Sequence, residues 1–238
     1  GALRLFGEKL LNVSDVAGHS VGEITASVFA GALDQVSAMK LVATRGAQMA
    51  IAAKGSNTGM SAVLGGDRDV VVAAINAAGL TAANENGAGQ IVAAGSLTAL
   101  AALAENPPEG SRVRALAVSG AFHTSTMVPA VSHLATLAAS LHATDPMIPF
   151  ISNKDGAVVE SGREILDRIV GQIAGPVRWD LCMETMAKCG VTGVIEVPPA
   201  GTLVGLVKRA QSEIQTFALK GPEDLAAAQA FIAEHGGN

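Results

Sequence analysis

The stretch Gly18-His19-Ser20-Val21-Gly22 follows a mostly apolar run, residues 12–17, and opens an Ala-rich segment, residues 21–30. This order predicts a strand, a tight turn and a helix. Glycines permit a sharp backbone reversal, and in a G-x-S-x-G sequence that reversal holds the serine oxygen at the helix N-terminus. The helix dipole and free N–H groups there favour the oxyanion of acyl transfer. The pentapeptide therefore indicates a nucleophilic serine, although any turn before a helix also favours Gly and Ser.

The composition indicates a globular protein that does not bind nucleic acid through a basic surface. Of 238 residues, 49% are hydrophobic and only 3% are aromatic, with no Tyr and one Trp. Small aliphatic side chains suit helices that pack closely on a parallel sheet. The formal net charge of −5 argues against nucleic-acid binding, which depends on clustered Lys and Arg. We therefore expect no nucleic-acid partner.

Motifs for a metal site or a membrane segment are missing from the sequence. The chain has no CxxC or HExxH, and its two cysteines, Cys182 and Cys189, stand seven residues apart in a predicted helix. That spacing separates them by about two turns, so we expect no disulfide and two core or half-buried thiols. There is no basic N-terminal region followed by an apolar stretch, and no apolar run of about 18 residues. We therefore expect no metal, no membrane contact and a cytoplasmic location.

Residues 58–118 have the pattern of a small separate module. Short strands and helices alternate there in the order β-α-β-β-α-β, which is typical of a ferredoxin-like fold. The predicted strands are residues 60–64, 80–83, 91–94 and 113–118, and the predicted helices are residues 69–78 and 97–104.

The two flanking segments, residues 1–57 and 119–238, predict one larger unit. A long helix over 34–53, interrupted at Gly46, follows the serine turn. After residue 118, predicted strands alternate with predicted helices, which implies crossover connections and a mainly parallel sheet. The strands are 149–152, 193–197 and 215–219, and the helices are 127–141, 163–172, 179–189, 202–210 and 222–234. We therefore predict an α/β fold, with an α/β-hydrolase-like core and an inserted ferredoxin-like subdomain.

A nucleophilic serine needs a base, and one of the five histidines has a suitable setting. His123 lies in a loop of small residues, Val118 to Thr124, between a predicted strand and a predicted helix, where a side chain can reach a cleft. His19 is adjacent to Ser20 and is expected to shape the turn or contact substrate. The others, His133, His142 and His235, are interpreted as surface or packing residues.

Six blocks of the chain, in order, resemble the malonyl-CoA:acyl carrier protein transacylases of fatty-acid synthesis, in particular the actinobacterial type. The blocks are Gly18-His19-Ser20-Val21-Gly22-Glu23, Thr44-Arg45-Gly46-Ala47-Gln48-Met49, Asn84-Glu85-Asn86-Gly87-Ala88-Gly89-Gln90-Ile91-Val92, Gly120-Ala121-Phe122-His123-Thr124, Pro176-Val177-Arg178-Trp179 and Glu196-Val197-Pro198-Pro199-Ala200-Gly201-Thr202-Leu203. The resemblance extends across residues 18–209.

The resemblance implies a role for each of the chemically distinctive residues. Ser20 would become O-malonylated, and His123 would take its proton and later deprotonate the incoming thiol. Arg45 would bind the free malonyl carboxylate through two parallel hydrogen bonds; without the resemblance, a surface salt bridge is the simpler interpretation. The carbonyl oxygen of Gln172, five residues before Val177, would orient His123.

Further residues are expected to contact the substrate. The backbone N–H of Val21 would donate to the oxyanion. Phe122 matches the bulky residue of malonyl-selective relatives and would crowd an α-methyl branch, which is worth only ~1 to 3 kcal/mol. Asn86 is either a cleft residue or a turn residue before Gly87. A conventional triad acid stays possible in principle, from the candidates Asp155, Asp180 and Glu196.

The chain departs from the family before Gly18. The family begins with a strand and a Gly-Gln-Gly-Ser-Gln turn whose glutamine helps to form the oxyanion hole, and this turn has no match here. The sequence thus resembles a member that lacks its N-terminal portion. Loss of one oxyanion donor would lower the rate by about 100-fold to 1000-fold.

The function implied is transfer of malonyl from malonyl-CoA to the phosphopantetheine thiol of acyl carrier protein, by a ping-pong route without a cofactor. The partners are then a coenzyme A thioester and acyl carrier protein. The basic residues Lys208 and Arg209 are candidate contacts for the carrier protein, if that partner is acidic. Three alternatives stay open: an acyltransferase domain of a polyketide synthase, a serine hydrolase or thioesterase, and a non-catalytic module that binds a carrier protein.

Overall fold

The predicted strand, turn and helix at the serine are present in the computed structural model, which describes residues 13–118 and 120–236. The segment β1 (Val16–Ala17) leads through the pentapeptide into α1 (Gly22–Phe29). Residues 1–12, Ser119 and residues 237–238, which belong to the predicted core segments, lie outside the described residues. Only residues 16–17 of the strand predicted over 12–17 are assigned to β1.

The core alternates further helices with short strands. They are α2 (Gln35–Ala53), α5 (Val128–Ala139), β6 (Phe150–Ile151), β7 (Val158–Val159), α6 (Gly162–Gly171), β8 (Val177–Arg178), α7 (Trp179–Lys188), β9 (Gly193–Glu196), α8 (Leu203–Ala210), β10 (Gln215–Ala218) and α9 (Leu225–His235). Strand β1 pairs with β6 and β9 with β10 in parallel, while β7 runs antiparallel to β6. Within the described ranges, no helix is both long and apolar enough to cross a bilayer.

Helices cover both faces of the core strands. Successive strand residues point to opposite faces, and in β6 both faces are apolar. Phe150 packs with Ile24, Leu41 and their neighbours from α1, α2, α5 and α6. Ile151 packs in a second cluster, with residues of α7 and α8 such as Trp179. Burial on both faces is what the near-continuous apolar character of such strands requires, and it confirms the predicted α/β class.

The inserted segment forms the ferredoxin-like unit predicted from its pattern. Its elements are β2 (Thr58–Gly65), α3 (Arg68–Ala77), β3 (Thr81–Glu85), β4 (Gln90–Ser96), α4 (Leu97–Glu105) and β5 (Ser111–Ala115). The strands lie in the order β5-β2-β4-β3, each antiparallel to its neighbour. Strand β8 of the core then pairs in parallel with β3, so the small sheet has a fifth strand from outside residues 58–118.

Three local predictions are wrong. Helix α2 continues through Gly46 without a break, because the cost of one Gly, about 1 kcal/mol, is small beside the N-cap at Asp34 and the burial of Leu41 and Met49. Cys189 is exposed because it caps the end of α7, whereas Cys182 is buried; both thiols are free. Strand β5 ends at residue 115 and not at 118.

Candidate active site

Ser20 occupies the turn between β1 and α1 in a backbone conformation that few non-glycine residues adopt. Its φ is 54°, in the left-handed region, where strain costs on the order of 1–3 kcal/mol. The N–H groups of Gly22 and Glu23 donate to the carbonyl oxygens of His19 and Ser20 at 2.9 and 3.0 Å, which closes the turn. A Cβ at Gly18 would overlap the backbone of Gly22, so this position requires glycine.

The hydroxyl of Ser20 contacts the imidazole of His123. The distance from Ser20 Oγ to His123 Nε2 is 2.7 Å, and His123 Nδ1 lies 2.9 Å from the carbonyl oxygen of Gln172. A carbonyl only accepts, so Nδ1 carries the proton and Nε2 accepts from the hydroxyl. His123 also has a positive φ, 61°, and its backbone N–H donates to Ile173 O at 3.1 Å. The hydroxyl and the imidazole are therefore placed for proton transfer.

The imidazole of His123 is neutral at neutral pH. The residue is only 4% exposed, and this burial lowers the pKa of His123 to about 4. The carbonyl of Gln172 raises the pKa, whereas the positive charge of Arg45 and the nearby His19 lower it further. A neutral imidazole with a free Nε2 lone pair is the form that a general base needs.

Arg45 brings a buried cation to the same serine oxygen. Its Nη2 donates to Ser20 Oγ at 2.9 Å and to Gln172 Oε1 at 3.2 Å. Among the described residues, its buried Nε–H has no hydrogen-bond partner, and no carboxylate forms a salt bridge with it. Burial lowers the pKa of Arg45 to about 10, and the charge of Glu23 raises it. The group is thus cationic at neutral pH and has an unused donor.

Gln172 connects the elements of the site. Besides the carbonyl that meets His123, its side-chain Nε2 donates to Ser20 O at 2.9 Å and to Glu23 Oε2 at 2.6 Å. Glu23 is 1% exposed and also accepts from Asn153 N at 2.6 Å and Ser152 Oγ at 3.1 Å. Burial raises the pKa of Glu23 to about 7, against the effect of these donors. The serine turn is thereby fastened to the 3₁₀ turn at Gln172–Ala174.

The site opens into a cleft of about 450 Å³ between the core and the small sheet. The core wall comprises His19, Ser20, Arg45, Gly46, Met49, Ala50, Phe122 and His123, and the opposite wall comprises Met60, Asn84, Asn86, Val92 and Leu116. Asn86 Oδ1 lies 2.8 Å from His19 Nε2, so the two walls share a hydrogen bond. Burial lowers the pKa of His19, whose ring stands edge-on to Trp179 at 5.9 Å.

Seven of the eight predicted site residues are brought together by these contacts, and the last of them, Val21, adjoins Ser20. Among the described residues its N–H makes no backbone hydrogen bond, as a donor to an oxyanion would require. The candidate triad acids lie elsewhere. Asp155 pairs with Arg168, Asp180 pairs with Arg178, and Glu196 accepts from backbone N–H groups at the start of α8.

Sequence reasoning missed Glu23 and the pair Ser152–Asn153 as parts of the site. An acid in the first turn of a helix ordinarily indicates a favourable dipole interaction at the surface, so nothing marked Glu23 as buried. Ser152 and Asn153 directly follow β6, and ligand-facing groups gather at the carboxyl ends of parallel strands. That position is the one signal in the sequence that could have identified them.

The comparisons with known proteins agree on one family. The model of the acyl transferase domain matches residues 3–230. The malonyl CoA-acyl carrier protein transacylase of Mycobacterium tuberculosis is 51% identical over 210 residues, which cover 88% of this chain and 70% of that protein. A crystal structure of MCAT from Mycobacterium tuberculosis has a TM-score of 0.90 at 48% identity and covers 95% of this chain and 76% of its own. A solved structure of a type II polyketide synthase acyl carrier protein in complex with its malonyl-transacylase also contains a matching chain. The match has a TM-score of 0.84 at 30% identity and covers 91% of this chain and 72% of that chain.

Proposed function

The chain belongs to the acyl transferase family, among the malonyl-CoA:acyl carrier protein transacylases, and on this basis we propose that it carries malonyl from malonyl-CoA to the phosphopantetheine thiol of acyl carrier protein in fatty-acid biosynthesis. The observation that carries the proposal is a pair of contacts made by Ser20 Oγ. It lies 2.7 Å from His123 Nε2 and 2.9 Å from Arg45 Nη2. A serine and a base suit any acyl transfer. The buried cation on the same oxygen favours an acyl group with a negative charge.

In the first half-reaction, Ser20 Oγ attacks the thioester carbonyl while His123 Nε2 takes the hydroxyl proton. The Val21 N–H donates to the oxyanion that forms on the carbonyl oxygen. Collapse of this intermediate breaks the C–S bond, and the coenzyme A thiolate leaves with the proton from His123. The product is a malonyl ester on Ser20.

The second half-reaction reverses these steps with another thiol. His123 Nε2 deprotonates the phosphopantetheine thiol of the carrier protein, and the thiolate attacks the malonyl ester. The C–O bond to Ser20 breaks, and His123 returns its proton to the serine oxygen. Because one site serves both thiols in turn, the kinetics are ping-pong.

Arg45 selects the acyl group by its charge. A guanidinium binds a carboxylate through two parallel hydrogen bonds, and among the described residues the Nε–H of Arg45 is a buried donor without a partner. The malonyl carboxylate would remove the cost of an unsatisfied buried donor, about 1–3 kcal/mol. The distal carboxylate would then hold the thioester carbon near Ser20.

Serine, histidine and backbone donors suffice for both half-reactions, so the proposed enzyme needs no metal or redox cofactor. The substrates are products of intermediary metabolism, and we assign the reaction to the cytoplasm.

Steady-state transfer with Arg45 variants tests the proposal. Arg45→Ala is expected to lower kcat/KM for malonyl-CoA by about 100-fold, because loss of a buried charged hydrogen-bond partner costs at least ~2–5 kcal/mol. For acetyl-CoA, which has no carboxylate, the change is expected to stay within tenfold. Arg45→Lys keeps the charge but loses the planar pair of donors, so its activity with malonyl-CoA should be intermediate.

A matched control removes an arginine outside the cleft. Arg163 is exposed and pairs with Asp167 one turn along α6, so Arg163→Ala should leave both substrates within twofold of the wild type. Thermal denaturation of each variant separates loss of the carboxylate contact from loss of the fold. An equal loss with malonyl-CoA and acetyl-CoA in a folded Arg45→Ala protein would contradict the assignment.

A further inference from the structure

Glu23 is a buried acid next to the reacting serine, and neither half-reaction uses it. The residue is 1% exposed, and its backbone N–H donates to Ser20 O at 3.0 Å. One carboxyl oxygen, Oε1, accepts from Asn153 N at 2.6 Å and from Ser152 Oγ at 3.1 Å. The other oxygen, Oε2, accepts from Gln172 Nε2 at 2.6 Å. The two oxygens therefore have separate partners: Oε1 binds the residues after β6, and Oε2 contacts the site through Gln172.

The contact with Glu23 fixes which way the amide of Gln172 faces. The amide nitrogen donates to Glu23 Oε2 and also to Ser20 O, at 2.9 Å. The amide oxygen accepts from Arg45 Nη2 at 3.2 Å. A carboxylate and a carbonyl only accept hydrogen bonds, and a guanidinium only donates them. Turning the amide over would set its NH₂ group against the guanidinium and its oxygen against two acceptors, so one orientation satisfies all three contacts.

Arg45 depends on that amide for its position. Among the described residues, the side chain of Arg45 makes two hydrogen bonds, to Ser20 Oγ and to Gln172 Oε1. In the first half-reaction Ser20 Oγ becomes an ester oxygen, which is a weaker acceptor than a hydroxyl. The contact with Gln172 does not change when the acyl group arrives, so it can hold the guanidinium through both half-reactions.

Glu23 also supplies a countercharge that does not occupy the donors of Arg45. Burial lowers the pKa of Arg45, and the charge of Glu23 opposes this effect. The two side chains form no salt bridge within the described residues, and the amide of Gln172 contacts both. Arg168, by contrast, contacts two carboxylates directly. A carboxylate in direct contact with Arg45 would occupy donors that the acyl carboxylate needs.

We propose that Glu23 is a positioning residue for the selection of a carboxylated acyl group: it orients the amide of Gln172, and this amide holds the guanidinium of Arg45 where the acyl carboxylate binds. The inference rests on the proposed function, in which Arg45 binds the malonyl carboxylate. His123 is held by the backbone carbonyl of Gln172 and not by the amide. Loss of the Glu23 contact should therefore affect acyl selection more than proton transfer.

The variant Glu23→Gln tests the proposal, because it keeps the size of the side chain and replaces one acceptor by a donor. The backbone N–H of Asn153 cannot turn away, so the new amide oxygen should stay there and the new NH₂ group should face Gln172. The amide of Gln172 must then turn over and set its own NH₂ group against Arg45. Assays at pH 8 compare this variant with a wild type in which Glu23 is mostly ionised, since its pKa is about 7.

The measured quantity is the ratio of kcat/KM for malonyl-CoA to kcat/KM for acetyl-CoA. In Glu23→Gln this ratio should fall at least about tenfold, as expected when a hydrogen bond to a charged group is lost. In rapid-quench acylation the half-saturating concentration of malonyl-CoA should rise, while the limiting rate should change less than about threefold, because the base keeps its contacts. In the Arg45→Ala background, Glu23→Gln should not lower the ratio further, because both changes act through one group.

The matched control is a second buried glutamate outside the cleft. Glu196 is 9% exposed and accepts from backbone N–H groups at the start of α8. Glu196→Gln therefore also replaces a buried carboxylate and should lower the thermal stability, but it should leave the ratio within twofold of the wild type. If Glu23→Gln does not fold, Gln172→Met takes its place, since it removes the amide, keeps the backbone carbonyl on His123 and should lower the ratio in the same way.

Four results would overturn the proposal: an unchanged ratio in folded Glu23→Gln, an equal loss with both donors, an equal fall of the ratio in the Arg45→Ala background, or an unchanged ratio in Gln172→Met. The proposed function is tested separately by Arg45→Ala alone. A ratio that falls in Arg45→Ala and not in Glu23→Gln would contradict only the positioning role of Glu23, whereas a ratio that Arg45→Ala leaves unchanged would contradict both.

Discussion

The two walls of the catalytic cleft differ in what holds them together. On the core wall, Ser20, His123 and Arg45 are joined to one another and to Gln172 by hydrogen bonds of 2.7 to 3.2 Å. The wall from the small sheet presents mainly apolar side chains, such as Met60, Val92 and Leu116, and reaches the core wall through the bond from Asn86 to His19. The core wall therefore fixes the geometry of the chemistry, whereas the small sheet shapes the space beside it.

This difference implies that substitutions on the two walls have different consequences. Preorganised groups that contact the reacting atoms contribute to the rate of the chemical step. Apolar groups that only bound the cleft discriminate between acyl groups of different size. Variants on each wall therefore test one side of this difference.

The largest effect is expected for the base. His123→Ala should lower the rate of Ser20 acylation by about 10²- to 10⁴-fold, the usual contribution of a positioned general base. Rapid-quench measurement of the malonyl-enzyme checks this. His133, which is exposed and whose Nδ1 lies 3.3 Å from Pro129 O, provides the control, and His133→Ala should match the wild type. An acylation rate within tenfold of wild type for His123→Ala would contradict the role.

The next effect concerns the buried acid behind the core wall. Glu23→Ala should destabilise the fold by about 2 kcal/mol, because the buried N–H of Asn153 loses its acceptor. Burial raises the pKa of Glu23 from 4.5 to about 7. The contribution of Glu23 to the stability of the fold is therefore fully present below pH 4.5 and is lost as pH rises through 7. Urea denaturation should therefore show a larger penalty at pH 5 than at pH 8. A larger penalty at pH 8, or one equal to that of the exposed Glu164→Ala, would refute this account.

Phe122 lies where the two walls meet, and it should control acyl size. Its ring packs against the cluster of Met60 and Val92 and lines the cleft. Phe122→Ala should reduce discrimination against methylmalonyl-CoA by about tenfold, since one methyl group is worth ~1–3 kcal/mol. The ratio of kcat/KM for the two donors measures this. Leu116→Ala, on the other wall, should change the ratio less, and an unchanged ratio in Phe122→Ala would exclude the steric role.

The smallest expected effect is that of pH on the rate of Ser20 acylation, which should be almost independent of pH between 6 and 5. Burial lowers the pKa of His123 to about 4, so the base stays neutral as pH falls from 6 to 5, with Arg45 cationic and Glu23 largely protonated throughout. The acylation rate should change less than twofold over this range. A base with the ordinary pKa of about 6.5 would lose activity roughly eightfold, and that result would show that His123 is not desolvated as described.

The sequence predicted the parts of the structure that depend on neighbouring residues. The serine turn follows from glycines whose positions are dictated by local backbone geometry, and a Cβ at Gly18 would indeed overlap the next helix turn. The ferredoxin-like unit follows from alternating short elements, each of which carries its own periodicity. The bounds of its six elements differ from the predictions by three residues or fewer.

Contacts between distant residues could not be predicted in the same way. Glu23 and Gln172 are 149 positions apart, and neither local pattern indicates that their side chains meet. Strand β8 has two residues, too few for a periodic signal, and exists because β3 lies beside it. The carbonyl of Gln172 was placed opposite His123 only through the resemblance to a family.

Mass analysis of the peptide that contains Ser20, after exposure of the protein to malonyl-CoA, tests the central claim most directly. A malonyl adduct is expected on Ser20 in the wild type, with no adduct in Ser20→Ala and a strongly reduced adduct in Arg45→Ala. A stable adduct on another residue, or a folded wild-type protein without any adduct on this peptide, would contradict it.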